Sequence, residues 1–452
     1  MHYLSSIKQI YRLSVELLIE ILEAMKNDHS TVRHRFIRGS LWTLVGSATY
    51  NISLLAISII AARSLGTEEF GELGIIQSTV GLLSLIGGLG LGLTATKYIA
   101  EFREKDIIKI GNILALSTVT SILSGIFMTF FLIFFAPFLA QQIFNAPQLT
   151  FSLQISTGMI LAGAINGAQV GALSGFESFR KIGIINVITG CLFVPVTAIG
   201  LYLYGLNGLL TAFIFVMWIG VFLNRIALHY EYQRFGLNWS MKSWKKELPI
   251  LWQFSIPAIL AGIIVSLATW IVYTMLINQP GGFAEMGILN AANQWRTILL
   301  FLPIIIGQVS VPILAERFGN IRYEAMAQLL KSLILITLIV LIPSMILVCI
   351  FSPFIMHLYG ADFTNGWPVL ILVAFTALLT GLSLPIGTII TASGRMWVGF
   401  LMNTGWAIIL IGSAGLLLPW GALGLAAAFL IAYLVHMTWI YWYAMKIIRM
   451  ST

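Results

Sequence analysis

The stretch "FGELGII", Phe70–Ile76, stands beside a long apolar run, and "FAEMGILN", Phe283–Asn290, repeats its pattern 213 residues later. Phe283, Glu285, Gly287 and Ile288 hold the places of Phe70, Glu72, Gly74 and Ile75. The echo extends outward on both sides. "FAPF" at Phe135–Phe138 returns as "FSPF" at Phe351–Phe354, and "YGLNGLLTAFI" at Tyr204–Ile214 returns as "WGALGLAAAFL" at Trp420–Leu430, both at an offset of 216. Ala100–Glu101 answers Ala315–Glu316, and Asn186 answers Asn403. Apolar composition alone does not return glycines, a proline and an asparagine in register, so the chain reads as an internal duplication with few insertions.

Composition says what was duplicated. Of 452 residues, 59% are hydrophobic and 9% charged, whereas a soluble domain averages about 25% charged. Apolar runs recur at a length sufficient for a helix to cross a hydrocarbon core of roughly 30 Å. The runs predict an all-α membrane protein with twelve transmembrane helices, at roughly 39–62, 72–96, 111–136, 151–174, 182–204, 206–228, 249–277, 284–312, 329–351, 367–391, 396–418 and 420–445. Apart from Arg63 and Arg296, the 25 Lys and Arg residues fall in the N-terminal tail, every second loop and the C-terminal tail. Basic residues are retained on the cytoplasmic side, so both termini are expected inside. Membrane orientation accounts for the net charge of +8, and no nucleic-acid partner is implied.

Six crossings per half bring both copies in from the same side. The repeats are then parallel, and two pseudo-symmetric six-helix lobes enclose a central cavity that rocking exposes to each side in turn. The expected organisation is a cytoplasmic amphipathic segment over 1–38, an N-lobe over 39–228, a basic cytoplasmic linker over 229–248 and a C-lobe over 249–452. Cys191 and Cys349 both fall inside spans and imply no disulfide framework.

The segment "AARSLGTEEFGELGIIQSTVGLLSLIGGLGLGLTATKYIAE", Ala61–Glu101, with "LSGFESFRKIGIINV" and "YGLNGLLTAF", resembles bacterial polysaccharide-export flippases of the multidrug, oligosaccharidyl-lipid and polysaccharide exporter superfamily. The likeness runs from about residue 35 onward. It implies a multi-pass inner-membrane transporter, not an enzyme, that flips an undecaprenyl-pyrophosphate-linked oligosaccharide for cell-surface polysaccharide biosynthesis. Its partners would be the lipid-linked substrate, membrane lipids, and the polymerase and glycosyltransferases of the same route. The competing reading is a cation-coupled multidrug exporter of the same superfamily.

Arg296 is the most informative single residue. It lies 12 residues into the eighth span, roughly 18 Å down the helix axis, where a cation is costly unless it faces a polar interior. Asn290, Asn293, Gln294 and Thr297 flank it. Glu285 precedes it by about three turns on the same face, so Glu285 and Glu72 are expected to mark the outer ends of the cavity-facing helix in each lobe. Two readings of Arg296 stand: a contact for pyrophosphate or an acidic sugar, or a buried arginine paired with carbonyls or a glutamate. Lys97 is either a snorkelling lysine or an entry-side phosphate contact. Asn51 in the first span and Tyr273 in the seventh belong to polar stripes that suit sugars and equally suit helix packing. Arg63 is expected to pair locally with Glu68, Glu69 or Glu72.

No enzyme motif and no metal-ligand spacing is present. "GGLGLGL" at Gly87–Leu93 lacks the preceding strand of a phosphate loop, and its glycines are expected to bend helices or let them approach. His436, in the last span, is expected to pack or hydrogen-bond. The first, seventh and tenth spans contain no Asp or Glu, which favours an anionic cargo over a cationic drug. A sodium or proton coupling ion is left unassigned. Prolines at 249, 257, 303, 312, 343 and 385 direct attention to the C-lobe for such a site.

Overall fold

The computed structural model describes residues 31–103, 105–237, 247–318, 323–392 and 396–449. Most of the expected amphipathic segment, the centre of the basic linker and Arg395 lie outside them. Among the described residues every regular element is helical, as expected for spanning segments, which must satisfy their backbone groups internally. The first half comprises α1 (Thr31–Gly88), α2 (Leu91–Phe102), α3 (Ile107–Phe138), α4 (Leu149–Gly175) and α5 (Phe179–Arg234). The second comprises α6 (Ile256–Ile277), α7 (Gly282–Phe318), α8 (Tyr323–Ile350), a short α9 (Ser352–Tyr359), α10 (Trp367–Ala392), α11 (Met396–Leu417) and α12 (Gly421–Arg449).

Among the described residues, eight stretches are long and apolar enough to cross a membrane, by length and composition. Three of them run 50, 56 and 61 residues, far beyond the roughly 20 residues one crossing needs. Each of the three contains a backbone break. In α1 it falls at Gly66, with φ 75°. In α5 it falls at Tyr204 and Gly205, where Gly205 has φ 56° and ψ −137°. In the third, α11 gives way to α12 at Gly421, with φ 60° and ψ −138°. Gly205 and Gly421 are the counterparts at an offset of 216, so the duplicated sequence preserves one left-handed turn in nearly identical geometry. Any Cβ would strain it. "GGLGLGL" likewise acts as a bend: Leu89 and Gly90 take φ of 46° and 67° between α1 and α2.

Within the first half α1 packs on α5, α4 and α3. Within the second, α12 packs on α10 and α11, and α6 packs on α11. The halves meet chiefly through α1 against α7 and α6. At that seam the two copies of the opening phrase cross. A Cβ on Gly71 would strike the carbonyl oxygen of Phe283, and a Cβ on Gly287 would strike that of Thr67. Glycine is required at both places because backbone touches backbone. Phe70, 1% exposed, fills the space beside Tyr359 and Phe363 at ring distances of 6.3 and 5.9 Å. The core is continuous across the seam, joining Ile57, Phe70 and Ile76 to Leu276, Met286 and Leu289.

Polar contacts reinforce this end. Asn290 Nδ2 donates to the Phe70 carbonyl at 3.4 Å, Asn145 Nδ2 to Asn278 Oδ1 at 2.5 Å, and Arg63 Nε to the Leu358 carbonyl at 2.6 Å. The Arg63 contact corrects the expected local pairing: among the described residues no glutamate pairs with it, and it reaches across to the other half instead. At the opposite end the halves touch where Thr94 Oγ1 and Ser255 Oγ stand 2.7 Å apart, beside Gly90.

Candidate functional site

Arg296 lies on α7 with its guanidinium turned toward α12. Its Nη2 donates to the Tyr433 hydroxyl at 2.9 Å, and its charged carbon sits 5.4 Å from the Tyr433 ring centre. The residue is half-buried, and its Nε is buried without a hydrogen-bond partner. Among the described residues no carboxylate pairs with it. Tyr273, on α6, lies within electrostatic reach of the guanidinium and accepts a hydrogen bond from Asn293 Nδ2 at 3.1 Å. α1 and α10 also pack on α7, so the arginine stands inside the protein rather than on a helix facing lipid alone.

Helical spacing explains which expected residues join it. Asn293 precedes Arg296 by three positions and shares its face, so Asn293, Tyr273 and Arg296 come together. Asn290 lies six positions away, about a third of a turn round the helix, and is committed to the contact with Phe70. Gln294 is half-buried off the Arg296 face. Thr297 is exposed, and its hydroxyl bonds back to the Asn293 carbonyl at 3.3 Å. Asn51 Nδ2 is likewise bound to its own helix, at the Ser47 carbonyl, 2.8 Å away. Lys97 is exposed on α2, 4.9 Å from the Tyr98 ring centre.

The two glutamates of the repeated phrase have different occupations. Glu285 Oε2 accepts from the Ala422 amide at 2.7 Å, capping the start of α12 directly after the Gly421 turn. Glu72 Oε1 accepts from Gln148 at 3.1 Å. Sequence reasoning did not find the cap, nor Tyr433 as the partner of Arg296. The available signal was Tyr433 and His436 three residues apart in an otherwise apolar span. A separate cleft of about 420 Å³ opens at the seam between Arg63 and Gly66 on one side and His357, Tyr359 and Asp362 on the other.

The site is therefore a cation held among hydroxyls, an amide and aromatic faces, with its acids elsewhere. Guanidinium in such surroundings matches phosphate or carboxylate oxygens. The fold defines the class: a multi-pass membrane protein, helical in every regular element among the described residues. Within that class the chain belongs to the family of polysaccharide biosynthesis proteins, whose pattern it matches over residues 36–318.

Among similar proteins is the EPS I polysaccharide export inner membrane protein EpsE of Ralstonia nicotianae, 23% identical over 42% of this chain and 44% of that protein. The succinoglycan biosynthesis transport protein ExoT of Rhizobium meliloti is 24% identical over 74% and 65%. The stage V sporulation protein B of Bacillus subtilis is 21% identical over 89% and 83%. The chain thus spans less than half the length of EpsE and about two thirds of ExoT. Solved structures share the fold. A multidrug resistance MATE family transporter of the MOP superfamily, inward-facing, superimposes with a TM-score of 0.78 at 15% identity, over 90% of this chain and 98% of that one. An outward-facing one gives 0.72 at 15% identity, over 92% and 96%.

Proposed function

We propose that this protein flips an undecaprenyl-pyrophosphate-linked oligosaccharide from the inner to the outer leaflet by alternating access, supplying cell-surface polysaccharide synthesis. The observation that carries this reading is Arg296, a cation within a spanning helix that is paired with tyrosine rather than with an acid. An anionic headgroup is the complement such a group lacks. The two glutamates of the repeated phrase, Glu72 and Glu285, are each engaged by a neighbour rather than paired with Arg296, so the cation has no acid that a cationic drug could share.

In this proposal the chain crosses the membrane twelve times with both termini inside, as the distribution of Lys and Arg requires. The seam of crossing glycines then lies on the outer face, and the lobes as described stand closed to the outside. Cargo enters from the cytoplasmic leaflet, and Lys97 lies near that mouth. Passage outward demands that Gly71 and Gly287 part from their backbone neighbours.

The shared fold with multidrug exporters supports a second reading, and one experiment separates the two. Arg296→Ala should abolish polymer export while the protein still inserts and accumulates. Arg296→Lys should retain part of the activity where charge alone suffices. Full polymer production by Arg296→Ala, or drug resistance conferred by the intact protein without any effect on polymer, would favour the exporter reading.

A further inference from the structure

His436 stands on α12 one turn beyond Tyr433, the residue that receives the Arg296 guanidinium. The two rings meet edge-to-face at 6.5 Å and 90°. Both imidazole nitrogens are buried and neither has a hydrogen-bond partner. A neutral imidazole carries one N–H and one lone pair, and in the large majority of buried histidines at least one of them is engaged. His436 has neither. Around the same Tyr433 ring lie two further buried donors without partners, Nε of Arg296 and Nε1 of Trp406, whose ring is 5.3 Å from that of Tyr433. One tyrosine thus contacts both a permanent cation and a group able to become a second one.

Among the described residues, Arg296 is the charged group bonded to the tyrosine that His436 packs on. Of the helices packed on α12, α7 presents Arg296 at this level, while Glu285 is spent at the far end on Ala422. α6 presents Tyr273. α10 and α11 contain no titratable residue. α8 has Tyr323 and Glu324 in its first turn and Lys331 and Cys349 further along, and α12 itself adds Tyr433, Tyr441, Tyr443, Lys446 and Arg449. No described carboxylate is placed to hold an imidazolium at His436.

We propose that His436 is a proton site linked to anion occupancy at Arg296, taking up a proton from solvent when a phosphate-bearing ligand sits on the guanidinium and releasing it when the ligand leaves. The inference rests on the anionic-cargo reading above. With the guanidinium bare, burial disfavours a charged ring at His436. An anion bound beside Tyr433 offsets that cost, and the protonated ring adds to the attraction. Linkage makes the effect reciprocal, so the anion tightens proton binding by the same factor that the proton tightens anion binding. His436 is thus a positioning residue acting through the field around Tyr433.

The test uses the full chain in lipid nanodiscs, with ¹⁵N-labelled histidine and inorganic pyrophosphate as the probe. His436→Asn identifies the resonance, and His436→Gln serves should the asparagine variant fail to fold. Saturating pyrophosphate should raise the His436 titration midpoint by about one pH unit, a tenfold change in proton affinity, and Arg296→Gln should remove that shift. Calorimetry in two buffers of different ionisation heat should detect proton uptake with the intact protein and none with the His436 variants. Arg296-dependent pyrophosphate binding without movement of the His436 midpoint, or proton uptake that survives replacement of His436, would overturn the inference alone. Pyrophosphate that fails to bind, or binds equally well to Arg296→Gln, would overturn the anionic-cargo reading and this one with it.

Discussion

Tyr433 contributes two things to Arg296, a hydroxyl acceptor at 2.9 Å and a ring face. Tyr433→Phe keeps the ring and removes the acceptor. Polymer export should fall roughly tenfold, the scale of one hydrogen bond to a charged group, with protein level unchanged. Glu285 shows a different economy: Glu285→Ala leaves the first turn of α12 uncapped and should cost about 1 kcal/mol, read as a lowered thermal midpoint in detergent.

At the other end of the first half, Glu231 is 1% exposed and bonded to Lys181 at 2.7 Å and Ser178 at 2.6 Å. Burial pushes its carboxyl up, but the bonds from Lys181 and Ser178, with the charges of Lys181 and Arg234, outweigh burial and hold it below the ordinary carboxylate range. A depressed folded pKa means stability present above the unfolded value and lost as pH falls through the folded one. The thermal midpoint should therefore drop on acidification, and Glu231→Gln should flatten that part of the curve. Arg296 and Glu285 were both legible as unusual residues in sequence. Their partners were not, because Tyr433 and Ala422 each lie 137 residues away and no helical period reports on so distant a neighbour.

Among the elements, the crossing of α1 and α7 is the contact that the proposed cycle would break and reform. Gly287→Ala places a methyl against the Thr67 carbonyl, and Gly71→Ala places one against that of Phe283. Backbone cannot step aside as a side chain can, so either substitution should hold the helices apart. The expected result is a protein that inserts normally, exports poorly and exposes the seam to a membrane-impermeant thiol reagent at an introduced cysteine. The repeat itself was plain in sequence, since matching glycines survive where geometry forbids a side chain. That the two copies of "FGELGII" and "FAEMGILN" touch each other was not. A repeat shows that a lobe occurs twice, and leaves open which face of one copy meets the other.

For the molecule as a whole, Asn145 and Asn278 join the halves at 2.5 Å. In a background lacking Cys191 and Cys349, the pair Asn145→Cys and Asn278→Cys should form a disulfide under oxidation and halt export, and reduction should restore it. Export that continues through the crosslinked protein would show that the halves need not separate there. Composition and the length of the apolar runs were sufficient to show a multi-pass helical membrane protein, because membrane insertion acts on whole segments. The seam depends on side-chain fit between segments, which composition does not encode.

The solitude of Arg296 has an energetic consequence. In the proposed cycle a guanidinium anchored to its own lobe would stay with that lobe as access alternates, while the headgroup it releases would continue outward with its negative charges. A cell interior at negative voltage pushes those charges the same way, by roughly 2.3 kcal/mol per charge for each 100 mV. Electrical work on the passenger would then supply directionality, and any proton accompanying it would subtract one charge from the drive.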